Sequence, residues 1–456
     1  MALIRRKFGW LNNLFGIVEK FQEQAPKIDP AYEEIAEQLP IMKMNVPPKT
    51  EVSTLANGVT VLTETPAFPG MVHLGIMCSL GVRDETPENS GSLMALKHIY
   101  LRTKSKEQVN YGMIQMSAGS LSMDFDHEKT YLQASCFENH IYEYMQMMVE
   151  SLLNEKTQED CQVAKIRLEE FWGTREYSVS PEEILRELVL PTAFGGSGLG
   201  MPLQGLKKNI ENINSLQLNS LISQLKDPNG IIVCCSGLEN HKEFTQLAKT
   251  YFENLPKKET RVREPCRYKG GEVKEKINSD TTYVNLSFEG GSWDNMGTFL
   301  VMKTILEAGK SKAANVSLNY PYLELVEPSN SCFSETGVFG LSLSGPSQFG
   351  GQFGDILTKT FQALTNVSEE EVAFAKNYLK YQVLFATEKA KPRLEETVRT
   401  YMTIGKLSAL NTIETVKTED IKKTATSMLK TRPTLVALGP DLNSIPSSDG
   451  FHSRLN

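Results

Sequence analysis

"NSLISQLKDPNGIIVCCSGLEN" (219–240) and "KKTATSMLKTRPTLVALGPDLN" (422–443) decide the fold. Each passes from a helix-patterned run, through a polar turn containing proline, into a short apolar run that closes on glycine, Gly237 and Gly439. Those glycines lie 202 residues apart. A second pair of segments repeats in the same order. "TQEDCQVAKIRLEEF" (157–171) and "SEEEVAFAKNYLKYQ" (368–382) share an Ala-Lys step, Ala164-Lys165 and Ala375-Lys376, 211 residues apart. The two offsets differ by a change in loop length. A repeat of about 200 residues is far longer than a solenoid unit. The chain therefore reads as two duplicated α+β domains, each with a sheet covered by helices.

Working outward, residues 1–49 form an N-terminal segment, 50–255 the first domain, 256–273 a basic polar linker and 274–456 the second domain. "EVSTLANGVTVLTE" (51–64) turns on Asn57-Gly58, a hairpin signal. "MVHLGIMCSL" (71–80), "TYLQASC" (130–136), "GIIVCCSG" (230–237) and "TTYVNLSFEG" (281–290) read as strands. Helical patterns cover 137–154, 158–172, 182–190, 215–226 and the run after Asn240. In the strand "IIVCCS", the neighbours Cys234 and Cys235 should point to opposite faces.

Bulk composition narrows the function. The chain has 456 residues, 40% apolar and 23% charged, with a formal net charge of −7. Such a balance gives no general attraction to nucleic acid, and none is expected as a partner. Seven cysteines show no CxxC pair and read as buried thiols of a reducing compartment. No apolar run approaches the roughly 20 residues that span a bilayer. The start, "MALIRRKFGWLNNLFGIVEK" (1–20), is basic and amphipathic, with no acid before Glu19. It is similar to a mitochondrial targeting segment; if retained, it suits packing on a partner or on a membrane surface.

The chemistry hangs on "GSLMALKH" (91–98). A helix across 90–104, capped by Ser90, sets Met94, Lys97 and His98 at i, i+3 and i+4, on one face. A zinc hydrolase of the inverted type needs histidines at i and i+4 to hold the metal. It needs a glutamate at i+3 to deprotonate the bound water. Here a thioether and an ammonium take the first and second of those places. Neither can do the work, because a thioether is a poor zinc ligand and a lysine cation accepts no proton.

At this point the chain resembles the M16 metallopeptidase family. The resemblance rests on "GVRDETPENSGSLMALKHIYLRTK" (81–104), "PEEILRELVLPTAFGGSGLGMPLQGLKKNIENINSLQLNSLISQ" (181–224), "LSFEGGSW" (286–293), "KPRLEETVRTYMTIGK" (391–406) and "TRPTLVALGPDL" (431–442). It covers about residues 50–442 and points to the non-catalytic branch of the family, that of the processing-peptidase α subunit and core protein 2 of the cytochrome bc1 complex. It implies two clam-shell halves with mostly antiparallel sheets. Met94 then stands at the first zinc histidine and Lys97 at the catalytic glutamate, and His98 alone persists. The family's later glutamate ligand would fall within 160–166, "DCQVAKI", which holds none; Glu169 and Glu170 follow and should face solvent. The family's Gly-rich loop corresponds to 306–327, which keeps Gly309 but lacks the glycine run. There Lys310 and Lys312 would repel basic presequences. The resemblance thus implies no catalytic residue, no metal and no cofactor. It implies a zinc-bearing partner of the β or core 1 type, with cytochrome b and cytochrome c1 as neighbours and presequence peptides as a further candidate. The location implied is peripheral, on the matrix side of the mitochondrial inner membrane.

Three other motifs carry bland readings. "GKS" (309–311) lacks the first glycine of a phosphate loop. "GGSGLG" (195–200) lacks the dinucleotide spacing and a preceding strand, and reads as a flexible surface loop. "NVSEEEVAFAK" (366–376) places acids at a helix start, where they cap rather than catalyse.

Overall fold

The computed structural model describes residues 48–65, 70–103, 106–257, 263–308 and 316–455. The N-terminal segment read as amphipathic, together with Gly309, Lys310 and Lys312, lies outside the described residues. The first half runs β1 (Thr50–Thr54), β2 (Thr60–Glu64), β3 (Met71–Cys78), α1 (Ser92–Ile99), α2 (Glu107–Met116), β4 (Ser120–Phe125), β5 (Thr130–Phe137), α3 (Ile141–Leu153), α4 (Gln158–Ser178), α5 (Pro181–Phe194), α6 (Ser215–Leu225), β6 (Ile231–Ser236) and α7 (His241–Phe252). The principal elements of the second are β7 (Gly271–Lys276), β8 (Thr281–Gly290), α8 (Met296–Glu307), β9 (Leu325–Cys332), β10 (Gly337–Pro346), α9 (Gly350–Leu364), α10 (Glu369–Ala386), α11 (Ala390–Ile404), α12 (Thr418–Leu429), β11 (Thr434–Gly439) and α13 (Ser448–Leu455).

The sheets are ordered β1-β2-β6-β3-β5-β4 and β7-β11-β8-β10-β9. β6 runs parallel to β2 and antiparallel to β3; β11 runs parallel to β7 and antiparallel to β8. The repeated apolar runs thus occupy the same place in two sheets of the same topology. The Ala-Lys repeats do as well. Lys165 Nζ donates to the Glu211 carbonyl at 2.7 Å, and Lys376 Nζ to the Glu414 carbonyl at 2.6 Å.

Each sheet is covered on one face by its own helices and on the other by a helix of the opposite half. In β6, Ile231, Val233 and Cys235 join the core of the first half, whereas Ile232 and Cys234 face Leu394 and Val398 of α11. In β11, Leu435 and Ala437 join the second core, whereas Val436 and Leu438 face Leu185, Val189 and Phe194 of α5. Both strands are buried along their whole length. A strand covered on both faces reads as a continuous apolar run, which is why these two segments stood out.

Some expectations need correction. β4 alternates exposed and buried residues throughout, yet falls outside the strand runs expected. α1 is shorter than 90–104, and Ser90 does not cap it. Gly91 takes the N-cap place with φ 103°, and the Glu85 carboxylate accepts the Gly91 and Leu93 N–H groups at 2.9 and 2.6 Å. A carboxylate there satisfies unpaired donors and meets the positive end of the helix. The 256–273 stretch is not loose where it is described: Arg263 pairs with Asp84 at 2.8 Å, the Lys269 N–H bonds the Ala193 carbonyl, and β7 begins at Gly271. The "GGSGLG" segment lies at the surface only in its first half, where Gly195, Gly196 and Ser197 are exposed. Leu199 is fully buried, and its N–H donates to Cys266 Sγ at 3.3 Å. The acidic start of α10 does cap: Ser368 and Glu371 bond reciprocally.

Candidate functional site

α1 carries the residues singled out from the sequence. Leu93, Leu96 and Ile99 sink into the core of the first half, and Met94 goes with them, 5% exposed. Met94 is a packing residue here. Lys97 projects to the rim, where Nζ pairs with Asp124 of β4 at 3.0 Å and lies 5.7 Å from the Phe125 ring centre. His98 is half-buried against Phe171 of α4, ring centres 5.6 Å apart. Its Nε2 is sealed from solvent and has no hydrogen-bond partner among the described residues. Burial, then the charges of Lys97 and Arg167, push its pKa below the ordinary histidine value. The ring is thus neutral at pH 7, held by packing.

α4 lies against α1. Arg167 Nη1 donates to the His98 carbonyl at 2.5 Å, and Nη2 pairs with Glu107 at 2.7 Å. In 160–166 the one carboxylate is Asp160. It caps its own helix through Thr157 and pairs with Arg102 Nε at 2.6 Å. Glu169 and Glu170 are exposed. Where a metal would need carboxylate and imidazole, His98 meets an aromatic ring, an ammonium and a guanidinium. Among the described residues no group of three or more His, Cys, Asp or Glu side chains could hold a metal ion. The structure brings Lys97 and His98 to one rim and sends Met94 into the core.

Sequence reasoning missed the seam between the halves. Arg83 and Glu128, both nearly inaccessible, pair at 2.5 Å, and Arg83 also pairs with Glu335 of the second half at 2.5 Å. Burial works to raise the Glu335 carboxyl, but hydrogen bonds from Arg83, the Cys266 N–H and Ser334 outweigh it and hold it at about 2. Further along, Arg393 Nε of α11 pairs with buried Glu64 at 2.9 Å. Lys129 Nζ donates to Thr403 Oγ1 at 2.6 Å and lies 4.9 Å from the Trp293 ring centre. The cavity left between α11 and the inner face of the first sheet is about 20 Å³, room for about one water. The only sequence signal for this network was charge inside apolar context, as with Arg83 in "LGVRDE".

Comparison with known proteins agrees with this architecture. Residues 212–379 match the family described as peptidase M16 inactive domain. The chain is 26% identical over 438 residues to mitochondrial-processing peptidase subunit beta of Blastocladiella emersonii, covering 91% of this chain and 93% of that one. It is 26% identical over 445 residues to subunit alpha of Solanum tuberosum, covering 90% and 85%. A chain of complex III2 from Candida albicans, bound to Inz-5, shares the fold with a TM-score of 0.75 at 18% identity, covering 89% of this chain and 99% of that one. The arrangement of two sheet-and-helix halves is thus the fold shared with that complex III2 chain. Residues 212–379 match the M16 inactive domain, and the chain is similar to processing-peptidase subunits along nearly its whole length.

Proposed function

We propose that this chain is a non-catalytic, core 2-like subunit of the mitochondrial ubiquinol–cytochrome c reductase. It would sit peripherally on the matrix side of the inner membrane, against a β or core 1-type partner and near cytochrome b and cytochrome c1. One observation carries the loss of catalysis: on α1, Lys97 points to Asp124 and Met94 into the core, so the positions of a zinc base and a zinc ligand serve packing and surface pairing. Likeness to a complex III2 chain over nearly the whole length supports the assembly. No helix among the described residues is long and apolar enough to cross a membrane, in keeping with attachment through partners.

A second reading has its own support, the likeness to a processing-peptidase α subunit. Here the chain would assist presequence cleavage by a zinc-bearing β partner, within the same complex or apart from it. Isolation of the chain with its native partners, with mass spectrometry and a presequence-cleavage assay on one sample, tests both. Cytochromes b and c1 without cleavage support the core role. Cleavage lost on zinc chelation supports the second. Stoichiometric zinc in the isolated chain would overturn the non-catalytic assignment.

A further inference from the structure

We propose that the cavity at the outer end of the seam binds a phosphate-bearing anion, either a lipid headgroup or a soluble phosphate compound. The inference stands apart from the choice between the core and processing roles.

The cavity measures about 500 Å³ and is lined by Arg83, Ser197, Gly198, Arg263, Arg267 and Lys269, with Asp84 and Glu264 as its acids. Its volume falls in the range of small-ligand sites and suits a headgroup better than a protein segment. The stretch that supplies most of the lining, 263–269, holds Arg263, Arg267 and Lys269 against Glu264 alone, in a chain whose net charge is −7.

The inner walls are built of paired arginines. Arg83 directs its donors inward, to Glu128, Glu335 and the Glu264 carbonyl. Arg263 directs Nε and Nη2 to Asp84, the Ser79 carbonyl and the Glu128 carbonyl. These two arginines are matched by carboxylates and build the site rather than bind the ligand.

The mouth differs. Arg267 and Lys269 are exposed and form no ion pair or side-chain hydrogen bond with a described residue. Glu264 is the one carboxylate lining the cavity beside them that is not already paired with an arginine. Lys269 Nζ is held near the glycine turn, 3.0 Å from where a Cβ on Gly195 would lie. Gly198, at φ 56°, and exposed Ser197 complete the opposite lip. A guanidinium fork, an ammonium and a hydroxyl converging on one opening supply the donors that three phosphate oxygens accept.

The test titrates the purified full chain with inorganic pyrophosphate by calorimetry. In parallel it floats the chain with vesicles of phosphatidylcholine, alone or mixed with phosphatidylglycerol. Three proteins are compared: the unaltered chain, R267A/K269A, and K422A/K423A, which removes the same charge from exposed positions of α12. Equal melting temperatures establish that all three are folded. The proposal expects saturable binding, weakened about tenfold or more in R267A/K269A and unchanged in K422A/K423A. Binding of pyrophosphate alone identifies a soluble phosphate ligand; binding of the phosphatidylglycerol vesicles identifies a headgroup. Equal weakening in both variants would mean bulk charge and overturn the site, as would the absence of saturable binding to either probe.

Discussion

At the scale of single residues, the site is defined by what each side chain now touches. Met94 contributes to a packed core, so Met94→Ala should cost about 2–5 kcal/mol of stability. Lys97 makes a solvent-exposed pair, so Lys97→Ala should cost at most about 1 kcal/mol. Denaturant unfolding of the two variants checks the contrast; a larger loss for Lys97 would mean that the lysine is structural. Glu85 offers a sharper test through pH. Burial pushes its carboxyl up to about 7, against the opposing N–H bonds of Leu93, Gly91 and Ser92. A raised pKa favours the protonated form in the folded state. The stability it contributes is full below the ordinary value of 4.5 and is lost as pH rises through about 7. Glu85→Gln mimics the neutral group. The stability of the parent relative to this variant should therefore fall between pH 4.5 and 7; parallel curves would show that Glu85 does not titrate there.

At the scale of elements, legibility followed the number of covered faces. β6 and β11 stood out because helices from both halves bury both faces, which makes the apolar run continuous. The hairpin at Asn57-Gly58 was legible because Gly58 takes φ 109°, a conformation that glycine adopts readily. β4 escaped because its "SLSMDF" alternation is built of serines and one aspartate on the open face, which mimic a loop. Ser90 misled because local capping rules cannot see a carboxylate six residues upstream of Gly91. That α1 carries no His-x-x-Glu-His pattern was readable in the sequence alone. The surroundings of His98 were not, because Phe171 and Arg167 reach it only through tertiary packing of α4. The crossing of α5 and α11 between the halves was invisible for the same reason, and it makes a prediction. Leu394 is 3% exposed under the first sheet, so Leu394→Ala should cost about 2–5 kcal/mol. Since Leu394 belongs to the second half and packs on the first, urea unfolding followed by probes in each half should show both transitions shifting together. A shift confined to the second half would mean that α11 is not a shared element.

At the scale of the whole molecule, the two halves are joined by apolar exchange of helices and by buried ion pairs, of which the cluster around Arg83 is the largest described, and the two kinds of contact should respond differently to perturbation. Arg83 serves Glu128 of its own half and Glu335 of the other. Removing it alone takes the nearest cation from two carboxylates, one of them 3% exposed. Breaking a buried pair in this way costs about 3–5 kcal/mol, whereas replacing the entire cluster with neutral groups of similar volume costs much less. Arg83→Met should therefore destabilise more than the triple variant Arg83→Met, Glu128→Gln, Glu335→Gln, despite carrying fewer substitutions. Acid should have a similar effect to removing a partner. The Glu335 carboxyl is held at about 2, below its ordinary 4.5. Its contribution is present above pH 4.5 and is lost as pH falls through about 2. Urea midpoints at steps across that window should fall more steeply for the parent than for Glu335→Gln. If the triple variant is instead the least stable, each member of the cluster adds net stability and the cost of an unpaired buried charge does not dominate.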